Sequence, residues 1–306
     1  MNKTKIDWCD STWNPVTGCL HGCEYCYARG IANRFKGGNL SKDGSTYLHR
    51  WNTYFSVAGE MKLLAELDEP VYREENGRLK IAPYPYGFYP TLHRYRMDEY
   101  RDKKGRNIFV GSMTDLFGEW VPEGWQKEVF EACLKAPQHN YLFLTKAPEH
   151  ISRSSLLYSG VFGPHEDNFW FGTTVTCQKD LETRLWPLLQ TRGHVFLSIE
   201  PLLEELDLDT IWCKNGEVLI SVPKRMAYYL GGGETYRVPE WVILGAETGR
   251  RKEKVVPERE WIQHIVATCR EAKIPVFMKS SLAEIWGEAL IQEFPEGLLF
   301  KKEVRI

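Results

Sequence analysis

From residue 107 onward the chain alternates short apolar runs with longer stretches of helical spacing. The runs are Asn107–Met113, Tyr141–Lys146, Phe169–Thr176, His194–Glu200, Glu240–Glu247 and Ile274–Lys279. Each is nearly continuous in apolar residues, the pattern of a parallel strand covered on both faces, not of a half-exposed one. Between them, Gly124–Leu134 spaces Trp125, Val129, Phe130 and Cys133 as one helix face. Lys179–Leu189 does so with Leu181, Leu185, Leu188 and Leu189. Pro257–Ala272 opens with Pro-Glu, suited to a first helical turn, and presents Trp261, Ile265 and Cys269 together. A seventh strand is expected over Thr12–Thr17 and a helix over Glu24–Phe35. Seven strand-then-helix units predict an α/β fold with a parallel sheet, doubly wound or curled into a partial or full parallel (β/α) barrel.

The placement of polar residues favours the barrel. Asp115, Lys146, Thr174 with Thr176, Glu200, Glu247 and Lys279 all fall at or just past the end of an apolar run. In a parallel barrel those ends form one face, where chemistry is usually located. Two segments interrupt the alternation. Residues 36–106 contain a helical pattern near Tyr54–Leu67 and the aromatic-rich string Tyr84–Arg96. Residues 204–238 hold a strand-like run at Glu217–Val222. Both are too long for ordinary connections and read as insertions, the first as a lid, within a single domain spanning 1–306. Residues 280–306 form a C-terminal extension.

A chain of 306 residues with 43% hydrophobic content can bury a sizeable core. Its 39 basic and 41 acidic side chains leave a net charge of −2, so no global attraction to phosphate backbones or anionic lipid is expected. No apolar stretch reaches membrane-spanning length, and Met1–Asp10 lacks the apolar run of a secretory signal. A cytoplasmic location is the resulting expectation. Thiols stay reduced there, so the 8 cysteines are expected to be metal ligands and core residues, not disulfides.

Three of them lie in Gly18-Cys19-Leu20-His21-Gly22-Cys23-Glu24-Tyr25-Cys26-Tyr27, at spacing C-x3-C-x2-C, after one predicted strand and before a helix. Thiolates crowded into one loop can hold three irons of a cubane cluster and leave the fourth iron open. Gly18 and Gly22 allow tight backbone turns, and the helix N-terminus favours the anionic thiolates. The competing reading is a structural zinc site completed by Cys9, but zinc sites of this kind use paired C-x2-C knuckles and only one pair exists here. Cys133 and Cys269 belong on apolar helix faces; Cys213 sits beside Ile211 and Trp212 without evident chemistry.

The C-x3-C-x2-C loop, with aromatic Tyr25 before its last cysteine, resembles the radical S-adenosylmethionine superfamily. The string GCLHGCEYCYAR is similar to the cluster loop of its spore photoproduct lyase-like branch. The opening WNPVTGC, with GSMTDLF, LTKAPE, FGTTV, LSIEPLL and VILGAETG, resembles a phage-associated, largely uncharacterised family of the same superfamily, from about Asp7 to Lys279. Beyond Lys279 the family's Gln-Trp-Gly pattern is replaced by Ser280-Ser281-Leu282.

The resemblance implies a barrel of radical S-adenosylmethionine type. It further implies a [4Fe–4S] cluster on Cys19, Cys23 and Cys26, S-adenosylmethionine as second cofactor, and an electron donor such as flavodoxin or ferredoxin. Reductive cleavage would then give a 5′-deoxyadenosyl radical. Tyr25, Ser112, Thr114 and Asp115 stand where that family contacts the cofactor, and Thr174, Thr176, Arg184, Ser198 and Glu200 are expected to serve its ribose and carboxylate. Lys146, Glu247 and Lys279 are left to face substrate, and Cys177 to donate a hydrogen atom. The rings and cations of Tyr84–Arg101, including Tyr89, His93, Arg94, Tyr95, Arg96 and Arg101, suit either a nucleotide or nucleic-acid substrate or a packed lid with solvated charges. Two other classes compete with the radical enzyme. One is a non-catalytic zinc- or cluster-containing nucleic-acid-binding protein. The other is a barrel enzyme of acid–base chemistry using Asp115, Lys146, Glu200 and Glu247.

Overall fold

A computed structural model describes residues 4–47, 51–57, 60–153, 167–235, 237–249 and 251–298. The chain divides into two compact units. Unit 1 comprises residues 1–11, 106–108 and 140–306, and unit 2 comprises 12–105 and 109–139.

The apolar runs form the main sheet. Its strands are β1 (Ser11–Trp13), β8 (Asn107–Val110), β9 (Asn140–Thr145), β10 (Phe169–Thr174), β11 (His194–Ile199), β16 (Trp241–Leu244) and β17 (Val276–Met278), side by side in that order. The pairings β9–β10, β10–β11, β11–β16 and β16–β17 are all parallel. The sheet is an open, half-barrel arrangement in chain order, accompanied by helices.

In unit 1 the register explains why these runs are apolar throughout. Phe169, Phe171, Tyr141 and Phe143 project from one face and stack, with Phe143 and Phe171 centroids 5.5 Å apart. The other face carries Trp170, Gly172, Phe196 and Trp241, with Trp8 packed against Phe196 and Trp241. Helices α3 (Pro148–Arg153), α4 (Gln178–Leu189) and α5 (Arg259–Glu271) follow the strands. The expected apolar face of α4 is buried at Leu181, Leu185, Leu188 and Leu189. On α5 the buried stripe is Ile262, Ile265, Thr268 and Cys269, so Trp261 sits one position off it and is half-buried. A four-stranded antiparallel sheet occupies residues 211–235: β12 (Ile211–Cys213), β13 (Val218–Ser221), β14 (Met226–Tyr229) and β15 (Glu234–Thr235). It contains the strand expected near Glu217–Val222. The short α6 (Ala283–Trp286) lies in the C-terminal segment, which folds back where Met278 N–H donates to Ile291 O at 2.7 Å.

Unit 2 departs from expectation in three places. First, Thr12–Thr17 is not one strand. It breaks at Asn14-Pro15 into β1 and β2 (Val16–Thr17), which join different sheets. Proline lacks the N–H that a continuing ladder needs. Second, the stretch Tyr54–Leu67 is not helical. It forms β3 (Trp51–Val57) and β4 (Glu60–Leu67), an antiparallel pair in a sheet of order β2-β7-β4-β3 with β7 (Thr91–His93). The helix-forming run Met61–Leu67 yields to pairing of β4 with β7, which buries Leu64, Ala65 and Leu67. Third, the helix expected over Glu24–Phe35 is shorter: α1 spans Tyr27–Arg34. A hairpin of β5 (Tyr72–Glu75) and β6 (Arg78–Ile81) turns through Asn76-Gly77, both at positive φ, as a two-residue hairpin turn requires. Helix α2 (Glu123–Leu134) buries Trp125, Val129, Phe130 and Cys133 as its spacing predicts.

Cys133, Cys213 and Cys269 are buried, in line with core roles. Among the described residues no helix is long and apolar enough to cross a membrane.

Gly172 tests the packing of unit 1. A Cβ there would lie 2.4 Å from the buried Phe196 ring. Gly172→Ala is expected to lower stability by about 1–3 kcal/mol through overpacking, read as a lower midpoint in urea unfolding; an unchanged midpoint would show that the ring can yield.

Candidate functional site

Unit 2 carries the cysteine loop, and the segment after β8 holds it. Gly18 N–H donates to Met113 O at 2.9 Å, and Thr114 Oγ1 donates to Gly18 O at 2.6 Å. Asn14 Oδ1 accepts from Ser112 Oγ at 3.1 Å and from Met113 N–H at 3.0 Å. Met113 packs with Ala28 and Ala32 of α1, and Cys26, Tyr84 and Phe88 pack against that cluster. Gly18 has no room for a side chain: at φ +89° its Cβ would lie 2.2 Å from Tyr89 O. The string WNPVTGC is thus a clamp. Trp13 donates its indole N–H to Arg96 O, and Pro15 O accepts His93 N–H at 2.7 Å.

Within the loop all three cysteines are free and half-buried. Cys26 is the N-cap of α1, its Sγ accepting Arg29 N–H at 3.4 Å. Burial pushes the Cys19 thiol up to about 12, and Asp115, Cys23 and Cys26 add to the rise by their proximity, while the His21 backbone N–H opposes it. The loop therefore brings the Cys23 and Cys26 sulfurs and one carboxylate into electrostatic reach of Cys19. Among the described residues no three His, Cys, Asp or Glu side chains converge at the spacing of a single metal ion. The three thiols of the C-x3-C-x2-C frame, with His21 turned to Asp115, have the chemistry of iron–sulfur ligation. Cys9 lies outside this unit, in unit 1, with its sulfur 4.0 Å from Ile6 O.

The residues expected to contact the cofactor in unit 2 are engaged with the loop itself. Asp115 is buried; its Oδ2 meets His21 Nε2 at 2.6 Å and its Oδ1 accepts Phe117 N–H at 3.1 Å. The His21 ring stands edge-on to Trp120 at 4.8 Å. Ser112 O accepts the Tyr27 hydroxyl at 2.9 Å. Tyr25 is half-buried between Cys23 and Cys26. His21, Asn14 and Trp120 were not candidates from sequence. Only His21 carried a signal, through its place between two of the cysteines.

The rings and cations of Tyr84–Arg101 are largely absorbed by the fold. His93 is fully buried between Thr17 Oγ1 and the Tyr95 hydroxyl, and burial pushes its pKa well down. Arg94 pairs with Glu66, Asp68 and Glu128, and Arg96 donates to Asn14 O and Pro83 O. Arg101, which is exposed, lies 3.7 Å from Asp98. Tyr89, by contrast, is exposed.

Unit 1 gathers the remaining candidates at its strand ends. Thr174 and Ser198 are register partners on β10 and β11. The Ser198 Oγ is buried and has no hydrogen-bond partner among the described residues. Thr176 donates its backbone N–H and hydroxyl to Asp180 Oδ2, at 2.9 and 2.7 Å. Arg184 pairs with Asp180 Oδ1 at 2.7 Å and donates to Thr174 O at 2.7 Å. Glu200 is ion-paired with Lys279, and Gly245 leaves room for both: a Cβ there would lie 3.1 Å from Glu200 Cγ and 3.2 Å from Lys279 Cδ. Arg251 grips Glu247 at both oxygens, 2.8 and 2.7 Å, and holds its carboxyl below the usual range. Lys146, half-buried, directly follows β9. Cys177 is the N-cap residue of α4 in extended backbone, without a side-chain bond to the helix.

The chain belongs to a protein family described as "Protein of unknown function (DUF5131)", whose model matches residues 3–293. No curated protein and no solved structure matches it.

The Glu200–Lys279 pair gives a stability test independent of function. In a double-mutant cycle with Glu200→Gln and Lys279→Met, the double variant should be less destabilised than the sum of the singles, by about 1–2 kcal/mol. Additivity in urea unfolding would show the pair to be uncoupled.

Proposed function

We propose that this member of the DUF5131 family is a radical S-adenosylmethionine enzyme whose [4Fe–4S] cluster is held by Cys19, Cys23 and Cys26. One observation carries the reading: the three thiols share a single loop, close enough that Cys23 and Cys26 both raise the Cys19 pKa. Bound there, the cluster would leave one iron for S-adenosylmethionine and supply the electron that cleaves it to a 5′-deoxyadenosyl radical, with a flavodoxin- or ferredoxin-type carrier as the source.

The chain's own contribution is to fix the loop. Gly18 sets its start against Met113 and Thr114, and Cys26 sets its end by capping α1. Asp115, held by His21 and the Phe117 N–H, orients the loop. The aromatic ring of Trp120 limits His21 to that orientation.

For unit 1 taken by itself, Ser198 and Thr174 are assigned to polar contact with the adenosyl cofactor, since the Ser198 hydroxyl is buried without a partner among the described residues. Thr176, Arg184 and Glu200 are assigned to the same ligand with their protein partners retained. Lys146, Glu247, Lys279 and Cys177 remain the substrate-side assignments.

Anaerobic reconstitution with iron and sulfide should give about four irons per chain, and addition of S-adenosylmethionine and dithionite should give 5′-deoxyadenosine. Cys19→Ala, Cys23→Ala and Cys26→Ala should each lose most of the iron, whereas Cys213→Ala should keep it. Tight zinc without iron, and no cleavage after reconstitution, would reject the assignment in favour of a zinc protein.

A further inference from the structure

Helix α1 presents an apolar face that stays exposed. Its inward side is made of two small residues, Ala28 and Ala32, which are 6% and 0% exposed. The outward side carries Tyr27, Ile31 and Phe35, spaced four apart, and these are 54%, 37% and 40% exposed. Residues at that spacing lie on one stripe, about 12 Å long at 1.5 Å rise per residue. A single exposed apolar side chain is ordinary; three large ones aligned on one short helix form a patch of the kind that marks an interaction site.

The charges on α1 and on the turn that follows it have one sign, with exposed Glu24 lying just ahead of the helix. From Tyr25 to Lys42 the chain contains Arg29, Arg34, Lys36 and Lys42 and no Asp or Glu. Arg34 and Lys36 are exposed beside the stripe, while the Arg29 guanidinium lies over the Phe88 ring at 5.8 Å. The whole protein is nevertheless slightly acidic, with a net charge of −2. The local sign is therefore a property of this face and not of the chain. An apolar stripe rimmed by cations suits a protein partner with an acidic rim, and two exposed cations are too few to track a phosphate backbone.

Position supplies the rest. Cys26 caps this helix, and Tyr27, the first residue of the stripe, is its chain neighbour and is anchored by its hydroxyl on Ser112 O. At the far end, Arg73 Nη1 donates to Phe35 O at 3.3 Å and ties the β5–β6 hairpin to the end of the stripe. The surface thus begins at a cysteine of the loop and stops at the hairpin.

We propose that the Tyr27–Ile31–Phe35 face of α1, with Arg34 and Lys36, is the docking surface for an acidic one-electron carrier protein that reduces the cluster. This rests on the reading of the cysteine loop as an iron–sulfur site. Docking here brings the carrier to the helix whose cap is a cluster ligand. A patch of this size gives a weak, short-lived complex, as an electron carrier needs, and its charged rim makes the encounter sensitive to salt.

The test uses the full chain, anaerobically reconstituted, with reduced flavodoxin and dithionite as alternative reductants and loss of cluster absorbance as the readout. Ile31→Glu and the charge reversal Arg34→Glu/Lys36→Glu change exposed positions. They are expected to keep the wild-type iron content and the wild-type rate of reduction by dithionite. Reduction by flavodoxin should slow at least about tenfold in each, and the wild-type rate should fall as salt is raised. Wild-type rates with flavodoxin in both iron-loaded variants would overturn the docking surface alone. A wild-type chain that takes up no iron would overturn the cluster and the surface with it. Equal loss with both reductants would place the effect in the cluster itself and also overturn the docking role.

Discussion

The passage of residues 14–18 alongside 111–115 is the constraint on which unit 2 depends. It is a close backbone approach, and on its other side Gly18 passes so near Tyr89 that a side chain would strike Tyr89 O. Once that approach is made, Asn14, Thr114 and the backbone of Met113 are all satisfied by partners from the other segment. The cysteine loop then starts from a fixed point and ends at another, the Cys26 cap of α1. Closing a short loop between two anchored ends leaves little conformational entropy to be lost on binding a ligand, which is the physical meaning of a preorganised site. The same anchoring explains why Ser112, Thr114 and Asp115 follow β8 so closely: they serve the loop before they can serve anything bound to it.

Unit 1 solves a different problem. A parallel sheet with both faces covered gathers polar side chains at its strand ends, and acids there need partners. Each acid has a cation nearby in space: Asp180 has Arg184, Glu200 has Lys279, and Glu247 has Arg251. Two of these pairs, Asp180–Arg184 and Glu247–Arg251, are four residues apart in sequence and so are built into the loop or helix that follows the strand. The Glu200–Lys279 pair instead spans β16, and it exists because Gly245 leaves the space. The strand-end charges are therefore internally balanced. What stands out on this face is a neutral group, the Ser198 hydroxyl.

This distribution also explains what could be read from sequence. The strands of the main sheet were legible because burial on both faces leaves an unbroken apolar run, and the helices because one face must be apolar. The pairing of β4 with β7 was not legible, since Met61–Leu67 has the composition of a helix and its partner strand, Thr91–His93, is three residues long. The break in Thr12–Thr17 was signalled by Pro15, but not the fact that its halves join different sheets. Of the site, the cysteines were visible through spacing alone. The His21–Asp115 bond was not, because its partners are 94 residues apart and neither has a pattern of its own. The cations of Tyr84–Arg101 looked free in sequence because their acids, Glu66, Asp68 and Glu128, lie on elements that only the fold brings near.

Asp115 gives the loop a definite electrostatic character. A carboxylate close to Cys19 works against thiolate formation there, in the same direction as burial and as the two neighbouring cysteines. A thiol raised to about 12 is the opposite of a nucleophile or redox sensor, which needs a depressed pKa and an electropositive setting. Metal ligation reverses the balance. The thiols must lose their protons to bind, and the cation then present inverts the local logic, so that each negative group around it becomes an attraction. The loop is thus unsuited to thiol chemistry of its own, and a metal group held there would have to displace the protons of these thiols.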